Sequence, residues 1–213
     1  MNPETLRIAL IFALLGLVLL RNLRGFVRFL FPGAVRYRIL GRDGEVMDPA
    51  VRLMGRELAE LGFVPVGRVA QRRPLSSDVE QSIYANEAKG DWAVVFPRGR
   101  DAWLYFLTEP RPGTFVLTAD HSFPSSQRGA FRTGGLPNAA PRDVYAAHRR
   151  VVETEDGAPS ARSLEAFVDL GRRFFARGPG AGAVRRRSMR EFLFASAALL
   201  WGVLTLWQLL MRR

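Results

Sequence analysis

The sequence predicts an α+β fold: an antiparallel β-meander sheet packed with helices, flanked by an N-terminal and a C-terminal transmembrane helix. Three observations predict it. Apolar runs between residues 92 and 118 are separated by turns of only a few residues, which is too short for parallel crossovers. Amphipathic helical periodicity lies on either side of these runs. A long apolar segment lies near each end of the chain, as in membrane helices.

Residues 1–34 are interpreted as a transmembrane helix followed by an interfacial segment. Ile8 to Leu20 is an apolar run of 13 residues. It extends to 18 residues, from Leu6 to Leu23, if Arg7 and Arg21 reach toward lipid headgroups. A secretory signal peptide is the alternative, but no small-x-small cleavage site follows the run. We therefore expect an uncleaved anchor.

Residues 35–177 are expected to form the α+β domain. Apolar and basic residues alternate over 35–39, which predicts a first strand with one solvated face. Asp48 followed by Pro49 predicts the start of a helix, because these residues are favoured at the N-cap and at the first helical position. Gly62 is expected to end that helix.

The β signal is densest in the middle of the chain. Strands are predicted over Phe63–Val69, Val79–Ala85, Trp92–Phe96, Ala102–Thr108, Thr114–Thr118 and Ala130–Thr133. The nearly continuous apolar run at 103–107 predicts a central strand that is covered on both faces. Two further helices, over 142–153 and 160–176, are expected to pack on one face of this sheet.

The C-terminal part is divided into a Gly-rich and basic linker, residues 178–191, and a transmembrane helix, residues 192–213. Phe192 to Met211 is a run of 20 residues without a charge, and such a helix is about 30 Å long, the thickness of a bilayer core. Trp207 lies near its closing end, where an aromatic belt is expected. A buried helix of a soluble protein is the alternative interpretation.

The net charge of +11 is confined to the two ends of the chain. Residues 1–40 hold six Arg and one Glu, and residues 177–213 hold seven Arg and one Glu. Residues 41–176 hold 17 Arg and one Lys against 18 acids, so this part is neutral. Nucleic-acid binding needs a basic folded body, so we expect none. The absence of cysteine excludes disulfide and Cys-based metal or redox sites.

Arginine placement predicts the orientation. Seven arginines lie on the domain side of the two apolar segments: Arg21, Arg24, Arg28, Arg185, Arg186, Arg187 and Arg190. Only Arg7, Arg212 and Arg213 lie on the other side. The positive-inside rule then places the domain in the cytoplasm and both termini outside, in a two-pass inner-membrane protein. The same seven arginines are expected to contact anionic headgroups.

Residues able to carry chemistry are few. Asp120 and His121 follow a predicted strand, and together with Ser122, Ser125 or Ser126 they are candidates for a hydrolytic site, with His148 opposite. No nucleophile elbow, P-loop or zinc motif supports this. We expect no metal site and no cofactor.

The segment from Ser122 to Pro141 is long and rich in Gly, Pro and Ser, and it lies between the sheet and a helix. Connections of this length are usually functional. Its two arginines, Arg128 and Arg132, are therefore candidates for binding an anion or a partner.

The layout from Leu61-Gly62-Phe63, through the apolar meander and the run Val116 to Asp120, to a helix with His148 resembles an uncharacterised domain of bacterial membrane proteins. The resemblance covers about residues 45–155. It implies no activity and no functional residues.

The chain is therefore interpreted as a membrane-anchored protein with a cytoplasmic interaction or sensory domain and no identifiable catalytic motif. The alternatives are a membrane-bound hydrolase using Asp120 and His121, and a surface protein that binds lipid headgroups. Small residues four positions apart, Ala9 with Ala13 and Ala198 with Gly202, allow close helix approach. Expected partners are therefore the anionic bilayer and a protein or second copy bound through the membrane helices.

A reporter enzyme fused after Arg213 is expected to read as extracytoplasmic, because seven arginines mark the domain side of the two segments as cytoplasmic. The same reporter fused after residue 177 should read as cytoplasmic. A cytoplasmic C-terminus together with a domain protected from cytoplasmic protease would contradict the orientation.

Overall fold

The computed structural model describes residues 3–41, 48–123, 125–128, 131–154, 163–176 and 179–211. Five helices and eight strands occur in these residues. In chain order they are α1 (Pro3–Leu30), β1 (Arg36–Gly41), α2 (Pro49–Glu60), β2 (Val64–Arg72), β3 (Val79–Asn86), β4 (Asp91–Arg98), β5 (Asp101–Arg111), β6 (Thr114–Ala119), β7 (Ser126–Arg128), β8 (Phe131–Gly135), α3 (Pro141–Val152), α4 (Leu164–Ala176) and α5 (Pro179–Met211). The predicted α+β class is confirmed.

The strands form one mixed sheet in the order β1-β2-β3-β4-β5-β6-β8-β7. Neighbours from β1 to β6 pair antiparallel, which confirms the meander. The last pairing differs from the all-antiparallel prediction, because β8 runs parallel to β6. The chain leaves β6, forms β7 on the outer edge and returns between the two strands as β8. The segment from Ser122 to Pro141 therefore contains two strands: β8 overlaps the strand predicted over Ala130–Thr133, and β7 was not predicted.

Helices cover both faces of the sheet, which corrects the prediction of helices on one face. Val51 and Leu58 of α2 and Val144 of α3 pack in one cluster with Leu104 and Phe106. On the other face, the apolar residues of α4 pack against the strand side chains that alternate with those of the first cluster. This second cluster includes Leu107, Trp92, Phe167 and Phe174. Because the central strands are apolar on both faces, each face needs its own helical layer.

The start and end of α2 follow the local sequence. The Asp48 carboxylate accepts hydrogen bonds from the backbone N–H groups of Ala50 and Val51, at 2.9 and 3.2 Å. Gly62, with a φ of +81°, follows the helix in the left-handed conformation that glycine adopts without steric cost. Both predicted boundaries are confirmed.

Helices α1 and α5 form an antiparallel pair, here called the hairpin. The Phe192 ring stacks on Phe26 and Phe29, with centroid distances of 5.5 and 3.9 Å. About three turns further along the pair, Gly202 lies beside Leu15. These contacts place the apolar segment of α1 alongside that of α5, in matching register.

The interval expected to be a flexible linker, residues 178–191, is helical from Pro179 onward. Gly180 packs directly on Phe174 of α4, where a side chain would come within 2.6 Å of the Phe174 ring and of its carbonyl oxygen. Val184 and Ser188 are buried. Packing on α4 therefore gives this Gly-rich stretch the order that its composition did not predict.

Within the described residues, no helix combines the length and the sustained apolar character that crossing a membrane requires. The interpretation of the two terminal helices as transmembrane spans stays a prediction.

One end of the sheet lies next to the base of the hairpin. Arg28 of α1 donates a hydrogen bond to the Ser76 hydroxyl in the turn between β2 and β3. Strand directions bring other segments to this same end. They are the β2–β3 turn at 73–78, the β4–β5 turn at 98–101, and residues 120–123 after β6, which together are called the hairpin-proximal end.

Replacing Gly135 with alanine is expected to lower the free energy of unfolding by about 2 kcal/mol or more, as overpacking does. A Cβ at this position would overlap the carbonyl oxygen of His121 and approach the Phe123 nitrogen to 2.6 Å. Gly134→Ala is the matched control, since nothing lies within 4 Å of its Cβ. Thermal and denaturant unfolding of both variants in detergent measures the difference. An equal effect of the two substitutions would contradict the close packing of Gly135 against the backbone of His121 and Phe123.

Candidate functional site

His148 lies on α3 and faces the sheet, fully buried. Its Nε2 atom is 2.9 Å from the Thr108 hydroxyl, and its Nδ1 atom is 3.2 Å from the Thr118 hydroxyl. Its ring also packs on Phe106, with centroids 5.7 Å apart. Both ring nitrogens are therefore satisfied by strands β5 and β6.

Asp91, at the start of β4, extends this arrangement into a network. Its side chain is fully buried and accepts hydrogen bonds from the hydroxyls of Thr108 at 2.7 Å and Tyr145 at 2.9 Å. Arg149 lies 3.3 and 3.2 Å from its two oxygens. Tyr145, His148 and Arg149 all lie on α3, so one helix contributes three members of the network.

The donors and acceptors of this network have one consistent order. A carboxylate only accepts, so Thr108 must donate its single hydroxyl proton to Asp91. His148 Nε2–H then donates to the Thr108 oxygen, and Thr118 donates to His148 Nδ1. The hydrogen bonds from Thr118 to Asp91 are therefore all formed when the imidazole is neutral and carries its proton on Nε2.

Electrostatics favour the same protonation state. Burial lowers the pKa of His148 from 6.5 to about 4; Asp91 opposes this shift and Arg149 adds to it. The Asp91 charge is compensated by Arg149, whose side chain is 19% exposed and is the part of the pair that reaches solvent. A buried charge is tolerated when it is paired and hydrogen-bonded in this way. The network thus fixes α3 onto three strands and encloses the imidazole.

His121 belongs to a separate cluster near the surface. Its Nδ1 atom is 3.0 Å from one Asp120 oxygen, and the other Asp120 oxygen accepts the Leu104 backbone N–H at 2.9 Å. The imidazole stacks on the Trp103 ring, at 4.3 Å between centroids and 7° between planes. The Arg98 guanidinium lies 3.4 Å from the centroid of the same indole. This stack of Arg98, Trp103 and His121 is called the cationic stack.

The structure keeps the two histidines apart. Phe106 and Thr108, the neighbours of His148, face α2 and α3, whereas Trp103 alternates with them and faces the α4 side of the sheet. His121 is stacked on Trp103 and therefore lies across the sheet from His148. Asp120 and His121 are in contact, but no serine hydroxyl bonds to His121 in the described part of the chain. The catalytic role of these residues stays a prediction.

The arginines of the former loop have different positions. Arg132, on β8, donates a hydrogen bond to the Gln127 carbonyl at 2.8 Å and so links β8 to β7. Arg128 lies in β7, and its side chain is outside the described residues. Their role in binding an anion or partner stays a prediction.

The seven arginines predicted at a membrane surface all lie on the hairpin helices, three on α1 and four on α5. Arg21, Arg24, Arg185, Arg186 and Arg190 are exposed. Among the described residues, no cluster of His, Asp and Glu has the arrangement needed to hold a metal ion.

Sequence reasoning missed Asp91, Tyr145 and Arg149. A signal was available, because Tyr145 and Arg149 lie four residues apart on a predicted helix and therefore on the same face as His148. The partner could not be found this way, since Asp91 is 54 residues from Tyr145 along the chain.

No protein-family model matches this chain, and no curated protein and no solved structure matches it either. The resemblance of residues 45–155 to a domain of bacterial membrane proteins therefore gains no support from these comparisons.

The burial of neutral His148 is expected to make the protein less stable as the pH falls from about 6.5 to about 4. Below pH 6.5 the unfolded chain binds a proton at this imidazole, whereas the native state binds it only near pH 4. The contribution of the neutral imidazole to the free energy of unfolding is fully present above pH 6.5. Its loss by about pH 4 lowers that free energy by about 3 kcal/mol, at about 1.4 kcal/mol per pKa unit. Denaturant unfolding at a series of pH values measures it.

His148→Gln should flatten this part of the pH profile, whatever its effect on stability at pH 7. His121→Gln is the matched control, because it removes the other of the two histidines and leaves the buried imidazole in place. A slope that persists in His148→Gln would contradict a buried neutral imidazole at this position.

Proposed function

We propose that this protein is anchored in a membrane by the hairpin, which holds the α+β domain at the cytoplasmic surface as an interaction or sensory module. The observation that carries the proposal is the apolar exterior of the hairpin. Of the 25 large apolar side chains that are exposed among the described residues, 18 lie on α1 and α5. Apolar patches of this extent are a feature of surfaces that meet a membrane or a partner.

The exposed apolar side chains of the two helices lie at the same levels. Leu20 is 71% exposed on α1, and Phe194 and Val203 are each 63% exposed on α5. Because α1 and α5 are antiparallel and paired in register, their apolar segments form one band. A helical run of 20 residues is about 30 Å long, so this band matches the thickness of a hydrocarbon core.

Two polar side chains within the band, those of Thr205 and Asn22, are satisfied inside their own helices. The Thr205 hydroxyl donates to the Trp201 carbonyl at 2.9 Å, and the Asn22 amide donates to the Val18 carbonyl at 2.8 Å. Such back-bonding removes the cost of placing these groups in hydrocarbon. Both segments are therefore compatible with lipid on their outer side.

Arginines collect where the band meets the domain. Residues 24–28 of α1 lie beside residues 189–192 of α5, so Arg24, Arg28 and Arg190 come to one level. Arg185 and Arg186 follow toward the domain. Each cation near an anionic leaflet contributes on the order of 1 kcal/mol. This charge distribution supports a cytoplasmic domain and extracytoplasmic termini.

An interaction or sensory role for the domain is supported by the closed state of its largest polar network. His148 and Asp91 are bonded to the protein on every side and serve to position α3. The hydrolase alternative has one observation in its favour, the contact between Asp120 and His121. The hydrolase alternative predicts that the full chain hydrolyses esters and that His121→Gln abolishes this activity without loss of stability. The proposed interaction module predicts no ester hydrolysis by the unmodified chain.

The full chain is expected to remain in the membrane fraction after carbonate washing. The variant Leu17→Asp with Leu200→Asp should reduce this fraction strongly, since each carboxylate in the middle of a bilayer costs about 2.5–3.5 kcal/mol on insertion scales. Both leucines are 62% exposed. Fractionation of cells expressing each form measures the effect.

Leu53→Asp is the matched control, because Leu53 is 59% exposed on α2 of the domain and should leave the membrane fraction unchanged. Release of the unmodified protein by carbonate, or equal tolerance of aspartate at all three leucines, would refute the anchoring role of the hairpin.

A further inference from the structure

We propose that the hairpin-proximal end of the sheet is a second membrane contact, at which Arg98 and Arg100 bind the anionic phosphate headgroups of the bilayer that holds the hairpin and the Trp103 ring lies among those headgroups. The inference rests on the proposed membrane anchoring and adds to it a surface of the domain itself. The neutral total charge of residues 41–176 does not by itself reveal such a surface.

Strand direction brings the relevant turns together. Val95 pairs with Ser82 on one side and with Leu104 on the other, so β4 ends where β3 and β5 begin. Tyr105 pairs with Ala119, which places Trp103 level with His121 beyond the end of β6. The β4–β5 turn is therefore two strands from the β2–β3 turn, where Ser76 bonds to Arg28 of the hairpin.

Charge is sorted between the two ends of the sheet. The arginines of the hairpin-proximal strand ends and turns are Arg36, Arg38, Arg72, Arg73, Arg98 and Arg100. Four acids accompany them: Asp78, Glu80, Asp101 and Asp120. Asp78 is paired with Arg38 and Arg72, Glu80 is paired with Arg68, and Asp120 is bonded to His121. The turns at the opposite end carry Glu87, Lys89, Glu109 and Arg111, two of each sign. The neutral domain thus has one basic end.

The side chains at this end have the character of a membrane interface. Arg98 and Arg100 are exposed, and no described carboxylate forms an ion pair with either. The indole of Trp103, under the Arg98 guanidinium, is only partly buried. Arginine and tryptophan favour this boundary because each joins an apolar body to a polar tip that hydrogen-bonds headgroups.

Leu75 adds an apolar contact at the same end. It is 48% exposed at the β2–β3 turn and has a φ of +55°, a conformation that costs energy for a residue other than glycine. An exposed leucine held in this conformation one residue before Ser76 is placed to enter the headgroup region beside α1.

The occupant is a lipid surface because of where this end lies. Two links join the hairpin-proximal end to the hairpin: the hydrogen bond between Arg28 and Ser76, and the few residues of chain between α1 and β1. A tethered surface meets its ligand at a high effective concentration, so a few weak contacts suffice for binding. Anionic phosphates complement the unpaired Arg98 and Arg100 by charge and by hydrogen-bond geometry.

The experiment uses the absence of native cysteine to place one fluorescent label. Gly99→Cys labels the β4–β5 turn, and Gly113→Cys labels the β5–β6 turn at the opposite end. These are matched sites, since both glycines have positive φ, of +64° and +81°, and nothing within 4 Å of their Cβ positions. The full chain is reconstituted in vesicles of phosphatidylcholine with phosphatidylglycerol, containing a lipid with a nitroxide quencher on its headgroup.

The label at residue 99 is expected to be quenched and the label at residue 113 not. Arg98→Gln with Arg100→Gln should lower the ratio of docked to undocked domain about 25-fold, since each arginine at an anionic surface changes such an equilibrium roughly fivefold. Lys89→Gln with Arg111→Gln, the same charge change at the opposite end, should have no effect. Vesicles of phosphatidylcholine alone should give weak quenching at both sites.

Flotation of the same vesicles separates the two proposals. A chain that floats while the label at residue 99 is quenched no more than the label at residue 113 overturns the second contact and leaves the anchoring intact. Equal quenching at residue 99 in neutral and anionic vesicles also overturns it, because the contact would then not depend on phosphate charge. A chain that fails to float overturns both proposals.

Discussion

The structure depends on removing both faces of one sheet from water. Strands β4 and β5 are apolar on both sides, and Val94, Val95, Leu104 and Phe106 are fully buried. A sheet of this kind is stable only when each face has a cover. This requirement places α2 and α3 on one side and α4 on the other.

The buried polar groups that join α3 to the sheet form one network. Asp91, Arg149 and His148 connect α3 to the middle of the sheet, and the hydroxyl and imidazole donors of the network find acceptors in a consistent order. An unpaired polar group in such a network lowers stability, whereas a fully bonded network favours a single packing arrangement of the core. The network therefore fixes how α3 sits on the sheet, and Val144 of the same helix adds a buried apolar contact. Its enclosure separates it from the surface cluster around His121.

The hairpin follows the opposite rule, because its apolar side chains point outward. Gly25, Gly180 and Gly202 allow close approach between helices, and the remaining apolar surface faces away from the protein. The domain and the hairpin meet at a belt of arginines, and the basic end of the sheet lies beside that belt. Both proposals thus share one physical origin, the placement of guanidinium groups between an apolar band and a folded body.

The sequence by itself determined the α+β class, most strands, the boundaries of α2 and the apolar terminal segments, because these follow from periodicity and capping between neighbours in the chain. Only the tertiary structure decided the rest. The parallel position of β8, the helices on both faces, the order of residues 179–191 and the separation of His121 from His148 all depend on contacts between distant segments. The union of Asp91 with Tyr145 and Arg149 has the same cause, since local patterns show which face a residue occupies but not what lies across from it.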